Sequence, residues 1–149
     1  MQILQETNTL LQEMTATEQR KFDAAVKNKI FEIEDCMKAE QAMVMRLRGL
    51  DKKREKLQEK LGFTDKTFRE IIAMQSEETK APLEQLFQQM QNNLDQYKQV
   101  SQSASDALSL NLHRIDQNLE RLRGRKESNI YAENGAIKKE RHSFTNRKA

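Results

Sequence analysis

Few residues in this chain could do chemistry, and their spacing argues against catalysis. His113 and His142 are the only histidines and stand 29 residues apart. Cys36 is the sole cysteine, so neither an intramolecular disulfide nor a cysteine-built metal site can form. It falls one residue before Met37 in a helical pattern and reads as a seam-edge or surface thiol. There is no Gly-rich phosphate loop, no Gly-x-Ser-x-Gly and no His-Glu-x-x-His. The chain reads as a non-enzyme, without metal or cofactor. Arg121, Arg123, Arg125 and Lys126 could track phosphates. The segment that carries them lacks the interleaved aromatics that stack on bases, which makes a nucleic-acid role the weaker reading. There are seven methionines, and Met43 and Met45 flank Val44, so they cannot all point into one narrow seam. Thioethers fill cores, or they serve surfaces that accommodate several related helices. The chemistry left open is recognition by helix faces.

Those faces are set by long helices. Phe87, Leu94, Ser101, Leu108, Ile115 and Leu122 repeat every seven residues between the single proline, Pro82, and Gly124. Leu83, Met90, Tyr97 and Ala104 form a companion row, and the two rows make one stripe that requires a partner helix. Pro82 suits the first turn of this helix. Ser101, Ala104 and Ser105 make a small-residue waist. From Leu108 the apolar face shifts to Leu112, Ile115, Leu119 and Leu122, and such a rotation accompanies a change of packing partner.

An earlier helical region runs from about Ile3 to Leu61, with Leu10, Met14, Phe22, Val26, Ile30, Ile33, Met37, Val44, Leu47, Leu50 and Leu57 mostly at steps of three and four. Its rhythm leaves three readings open: one bent helix, a new start at Thr15-Ala-Thr-Glu18, or a break near Asn28. Gly62 sits where a helix cap belongs, and Thr64 to Thr67 restarts a short helix carrying Phe68, Ile71, Ile72 and Met74. The expected fold is all-α. Long antiparallel helices form a hairpin or small bundle with coiled-coil-like packing over residues 1–128, followed by a flexible basic tail over 129–149.

Composition agrees. The 149 residues are 33% charged, 36% hydrophobic and only 5% aromatic, with four glycines, which suits extended helices and a thin seam. The net charge of +3 is uneven. From Arg121 onward nine Lys and Arg oppose three Glu, a net +6, whereas the first 120 residues hold seventeen basic against twenty acidic, a net −3. No run of apolar residues is long enough to span a membrane, and the N-terminus lacks the pattern of a signal peptide, so a cytoplasmic location is expected.

Three segments together resemble the FlgN family of flagellar export chaperones. They are VKNKIFEIEDCMKAEQAMVMRLRGLDKKREKLQEKLGF, then ALSLNLHRIDQNLERL, then the ending NIYAENGAIKKERHSFTNRKA with its Tyr-x-x-x-Gly element and Arg-Lys-Ala terminus. The Thr15–Glu18 cap is a departure from that family's pattern. The resemblance implies a chaperone that binds hook–filament junction (hook-associated) subunits, prevents their premature assembly and delivers them to the flagellar type III export apparatus. It also implies that the client's terminal amphipathic segment, in the hook-associated proteins the C-terminal one, lies along an apolar strip. The residues nominate Leu108, Leu112, Ile115, Leu119 and Leu122 as that strip, with Ile130, Tyr131 and Ile137 of the tail closing over the client. The same strip could pair two copies as a homodimer. Two other classes predict different behaviour: a self-associating structural coiled coil would not depend on the tail, and a basic-tailed nucleic-acid or regulatory binder would be strongly salt-dependent.

Overall fold

The computed structural model describes the backbone of residues 1–145 and the side chains of residues 1–124. All regular structure among the described residues is helical: α1 (Gln2–Val26), α2 (Ile30–Lys60), α3 (Phe68–Ala73) and α4 (Glu77–Thr145). The chain divides into two compact units, Met1–Leu108 and Ser109–Ala149.

In the first unit α1 and α2 run antiparallel. Leu10 and Met14 of α1 meet Met43 of α2 to form the core, against which Ala39, Leu47, Leu50 and Tyr97 pack. Ion pairs follow the same register, Arg46 to Glu13 at 2.6 Å and Lys53 to Glu6 at 4.0 Å. The first part of α4 runs parallel to α1. Asn8 donates to the Leu86 carbonyl at 3.1 Å and accepts from Asn93 at 3.0 Å, and Ser101 donates to Glu18 at 3.3 Å. α1 is therefore covered on two sides, which explains why ten of its residues are buried and only two of α2.

Of the three readings for the first region, the break near Asn28 is the one realised. α1 ends at Val26, and Asn28 takes a left-handed φ of 53°. Lys29 N–H then bonds the Ala24 carbonyl at 2.9 Å and Asn28 N–H the Ala25 carbonyl at 3.1 Å, the double bond of a Schellman cap with asparagine in the glycine position. No helix starts at Thr15. Its hydroxyl, like that of Thr17, donates back to the carbonyl four residues earlier in an uninterrupted α1.

The end of α2 repeats the device. Gly62 has φ 74°, Phe63 N–H reaches the Gln58 carbonyl at 2.8 Å and Gly62 N–H the Glu59 carbonyl at 3.1 Å. Gly62→Ala is expected to cost about 1 kcal/mol, because a Cβ disfavours this φ even though the space around it is open. A urea titration of the variant would read it as a lower midpoint at unchanged slope.

The short helix expected after Thr64 to Thr67 is α3, and a capping box at Thr67 and Glu70 opens it. Thr67 N–H donates to the Glu70 carboxylate at 2.6 Å, and Glu70 N–H returns to the Thr67 hydroxyl at 3.3 Å. The Thr67 hydroxyl also donates to that carboxylate at 2.7 Å, and this bond first, then the one from Thr67 N–H, holds the Glu70 carboxyl below its ordinary value. Phe68 stacks on Phe87 with ring centres 5.1 Å apart, which anchors α3 to α4.

Four expectations change. Pro82 is not in the first turn of α4: the helix starts at Glu77, where the Ser76 carbonyl accepts from Thr79 and Lys80, and Pro82 lies a turn further in. Its missing N–H leaves only the Glu78 carbonyl without a helical donor. Cys36 is a seam residue, 1% exposed, and burial pushes its thiol up, with Arg20 pulling the other way. Leu94 is partly exposed because Asn93, bonded to Asn8, takes the inward place beside it. Val26, Ile30, Met37, Val44, Leu57 and Leu61 also face outward. The seam of α2 uses Cys36, Ala39, Met43, Leu47 and Leu50, so the row of Ile30, Met37 and Val44 lies off it.

Candidate functional site

Within the first unit the inward face of α4 is tight at Ala104, which is fully buried, and half-buried at Ala107 and Leu108. The cause lies in the partner helices. From the contact of Glu18 with Ser101, α1 has eight residues left before it ends at Val26, and α4 has seven before Leu108. α1 and α2 thus turn level with the last residues of α4 that belong to this unit.

In the second unit the apolar positions are open. Leu112, Ile115, Leu119 and Leu122 are 64%, 51%, 48% and 56% exposed. At about 100° per residue, steps of three and four keep all four on one side of the helix. His113, Arg114, Asp116, Glu120, Arg121 and Arg123 surround them, all exposed. This is an apolar stripe in a mixed-charge border, suited to an amphipathic helix. Leu108, nominated with the stripe, is the last residue of the first unit and is half-buried there. Leu110 was not anticipated. It is 60% exposed, but two residues from Leu112 it projects from nearly the opposite side, so periodicity could not recruit it.

The remaining nominees fall elsewhere. The backbone of Ile130, Tyr131 and Ile137 lies within the bounds of α4, and their side chains lie outside the described residues, as do those of Arg125, Lys126 and His142. The expected flexible tail, 129–149, falls wholly on such positions, and its backbone as far as Thr145 belongs to α4. His113 is exposed and meets only Gln117, at 2.9 Å. Among the described residues no three His, Cys, Asp or Glu side chains are placed to hold a metal ion. Nor is any helix there long and apolar enough to cross a membrane.

A cluster of buried charged groups lies in the seam of the first unit. Lys21 of α1 pairs with Glu18 at 2.9 Å and with Glu40 of α2 at 2.7 Å. Glu18 is 2% exposed. Glu18 Oε2 and Glu40 Oε1 accept no well-directed hydrogen bond and have the Lys21 ammonium as counter-ion instead. Burial alone would lower the Lys21 pKa, but the two carboxylates outweigh it and hold the ammonium above its ordinary value. Burial, then the Glu18 charge, push the Tyr97 phenol up as well. This cluster ties helices together.

Compared with protein families, residues 1–139 match the FlgN family, described as FlgN protein. The chain belongs to the FlgN family. Curated proteins and solved structures give no match. FlgN proteins are flagellar export chaperones that bind hook-associated proteins, so the role at this coarse level is that of an export chaperone. The matched span takes in both units, the exposed stripe and the Tyr131–Gly135 element, and it ends within the basic segment.

Proposed function

We propose that this FlgN protein works in the cytoplasm on hook–filament junction subunits, holding their C-terminal amphipathic segments on the stripe of Leu112, Ile115, Leu119 and Leu122. The observation that carries this reading is the exposure of those four side chains in a member of a client-binding family. Client segments of this kind pair with one another in the finished structure. Covering them keeps monomers from assembling before export.

The energetics assign work to the tail. Covering the exposed halves of four such side chains is worth roughly 4–6 kcal/mol. Micromolar binding needs about 8 kcal/mol after the cost of association. Ile130, Tyr131 and Ile137, further along α4, would supply the difference as added contacts to the client. Release at the export apparatus then requires only that the tail let go. The net +6 segment from Arg121 onward would steer an acidic client or contact the apparatus.

The test is co-elution. The purified chain is mixed with a hook–filament junction subunit and followed by size exclusion with light scattering, then again without residues 129–149. A defined complex, weakened by the truncation, is expected. Absence of a complex with both forms would overturn the proposal, and a stable homodimer in its place would favour the structural coiled coil.

A further inference from the structure

The outward side of α2 carries a second apolar patch. Met45 is 73% exposed, and Met37 and Val44 are partly so. With Gln41 they line a shallow groove that Glu40 and Arg48 also border. Met43, two residues before Met45, is buried in the core, so the two thioethers serve opposite sides of one helix.

The charges around this patch are ordered. Most of α2's charged residues have partners within the chain: Lys29 with Glu32, Asp35 with Lys38, Lys21 with Glu40, Arg46 with Glu13, Lys53 with Glu6, Arg54 with Asp51. Among the described residues Glu34 and Arg48 form no ion pair, as is also true of Lys52, Lys56, Glu59 and Lys60 toward the end of the helix. Glu34 and Arg48, however, flank the patch: they stand seven residues before and seven after Gln41 on the same outward side. The helix as a whole is polarised. Residues 30–40 hold four acidic side chains against one basic, and residues 41–60 hold seven basic against three acidic.

We infer that α2 pairs through this face with α2 of a second copy, antiparallel, about a two-fold axis passing at Gln41. In that register Glu34 meets the partner's Arg48, and Arg48 meets the partner's Glu34. Met37 faces the partner's Met45, and Ile30 lies under the stem of the partner's Lys52. The occupant is a second copy because the pattern is self-complementary: reversing the helix places the acidic half on the basic half at both ends, whereas a parallel pair would stack like charges. One helix face is a small interface, so the dimer is weak, and its formation depends on concentration. This face shares no residue with the α4 stripe.

Sedimentation of the full chain over a concentration series tests this. A monomer–dimer equilibrium is expected. Glu34→Arg or Arg48→Glu alone should weaken it at least ~10-fold, since symmetry turns each reversal into two like-charge contacts. Combining the reversals should restore it. Both sites are exposed, so circular dichroism should show unchanged helicity. As an independent readout, Gln41→Cys should give an interchain disulfide on mild oxidation, while Cys36 stays buried. A chain that sediments as a monomer throughout, or a dimer whose strength neither reversal changes, overturns the inference. A dimer lost instead on Leu112→Ser with Leu119→Ser would place self-association on the α4 stripe and overturn it too.

Discussion

Replacing Lys21 by methionine is expected to lower the unfolding free energy by about 3 kcal/mol, the loss that follows when one partner of a buried ion cluster is removed and the others stay charged. Glu18 is almost wholly buried, and its neighbour Glu40 lies only 2.7 Å from the ammonium that would be gone. Ser101 alone cannot solvate both carboxylates. The same change combined with Glu18→Met and Glu40→Leu should return stability to within ~1 kcal/mol of the wild type, because no buried charge then remains. Thermal melts of both variants distinguish an ion cluster from ordinary packing. A harmless Lys21→Met would mean that water reaches the carboxylates.

The pH dependence gives a second readout with a fixed sign. The Lys21 pKa is raised in the fold, so its contribution is complete below the unfolded value of about 10.4 and fades as pH rises through the folded one. The wild type should therefore lose stability more steeply than Lys21→Met in strongly alkaline solution. Tyr97 and Cys36, both raised by burial, add alkaline sensitivity of the same sign, but the variant keeps them. The difference between the two curves belongs to Lys21 and its partners.

This cluster also shows what could be read in the chain beforehand. Apolar spacing located the long helical regions, and Gly62 marked the end of α2, where its φ is left-handed, whereas the break near Asn28 was one of three open readings. These are local effects, written in a few adjacent residues. The seam of α2 was harder. Two rows of apolar residues one position apart, Ile30-Met37-Val44 and Cys36-Met43-Leu50, compete for the inward face, and periodicity does not choose between them. The choice is made by α1, whose Leu10, Met14 and Lys21 fit Met43 and Glu40. Charged residues inside the seam were invisible for the same reason, since Glu18 and Lys21 look like surface residues until Glu40 arrives from 19 residues beyond Lys21 and Ser101 from 83 beyond Glu18. The α4 stripe was legible because its spacing changes after the waist at Ala104.

Changing Leu112 and Leu119 together to serine is expected to weaken client binding by at least ~100-fold while leaving the protein folded. Each leucine offers about half its surface to a partner, and losing two such contacts removes roughly 3 kcal/mol, which is about two orders of magnitude in affinity. The cost to the helix is only a few tenths of a kcal/mol per position, from the poorer helix propensity of serine. Titration calorimetry with a hook–filament junction subunit would measure the first effect and circular dichroism the second. Leu110→Ser is the matched control: it removes an equally exposed leucine from the opposite side, so it should leave affinity unchanged if the stripe is the binding face. Equal losses at Leu110 and at the stripe would indicate nonspecific stickiness and sink the proposal. Deleting residues 129–149 in the double variant adds a test of the tail. If Ile130, Tyr131 and Ile137 close over a client already seated on the stripe, the deletion should cost less there than in the wild type, since the two sets of contacts act on one bound segment and cannot be independent.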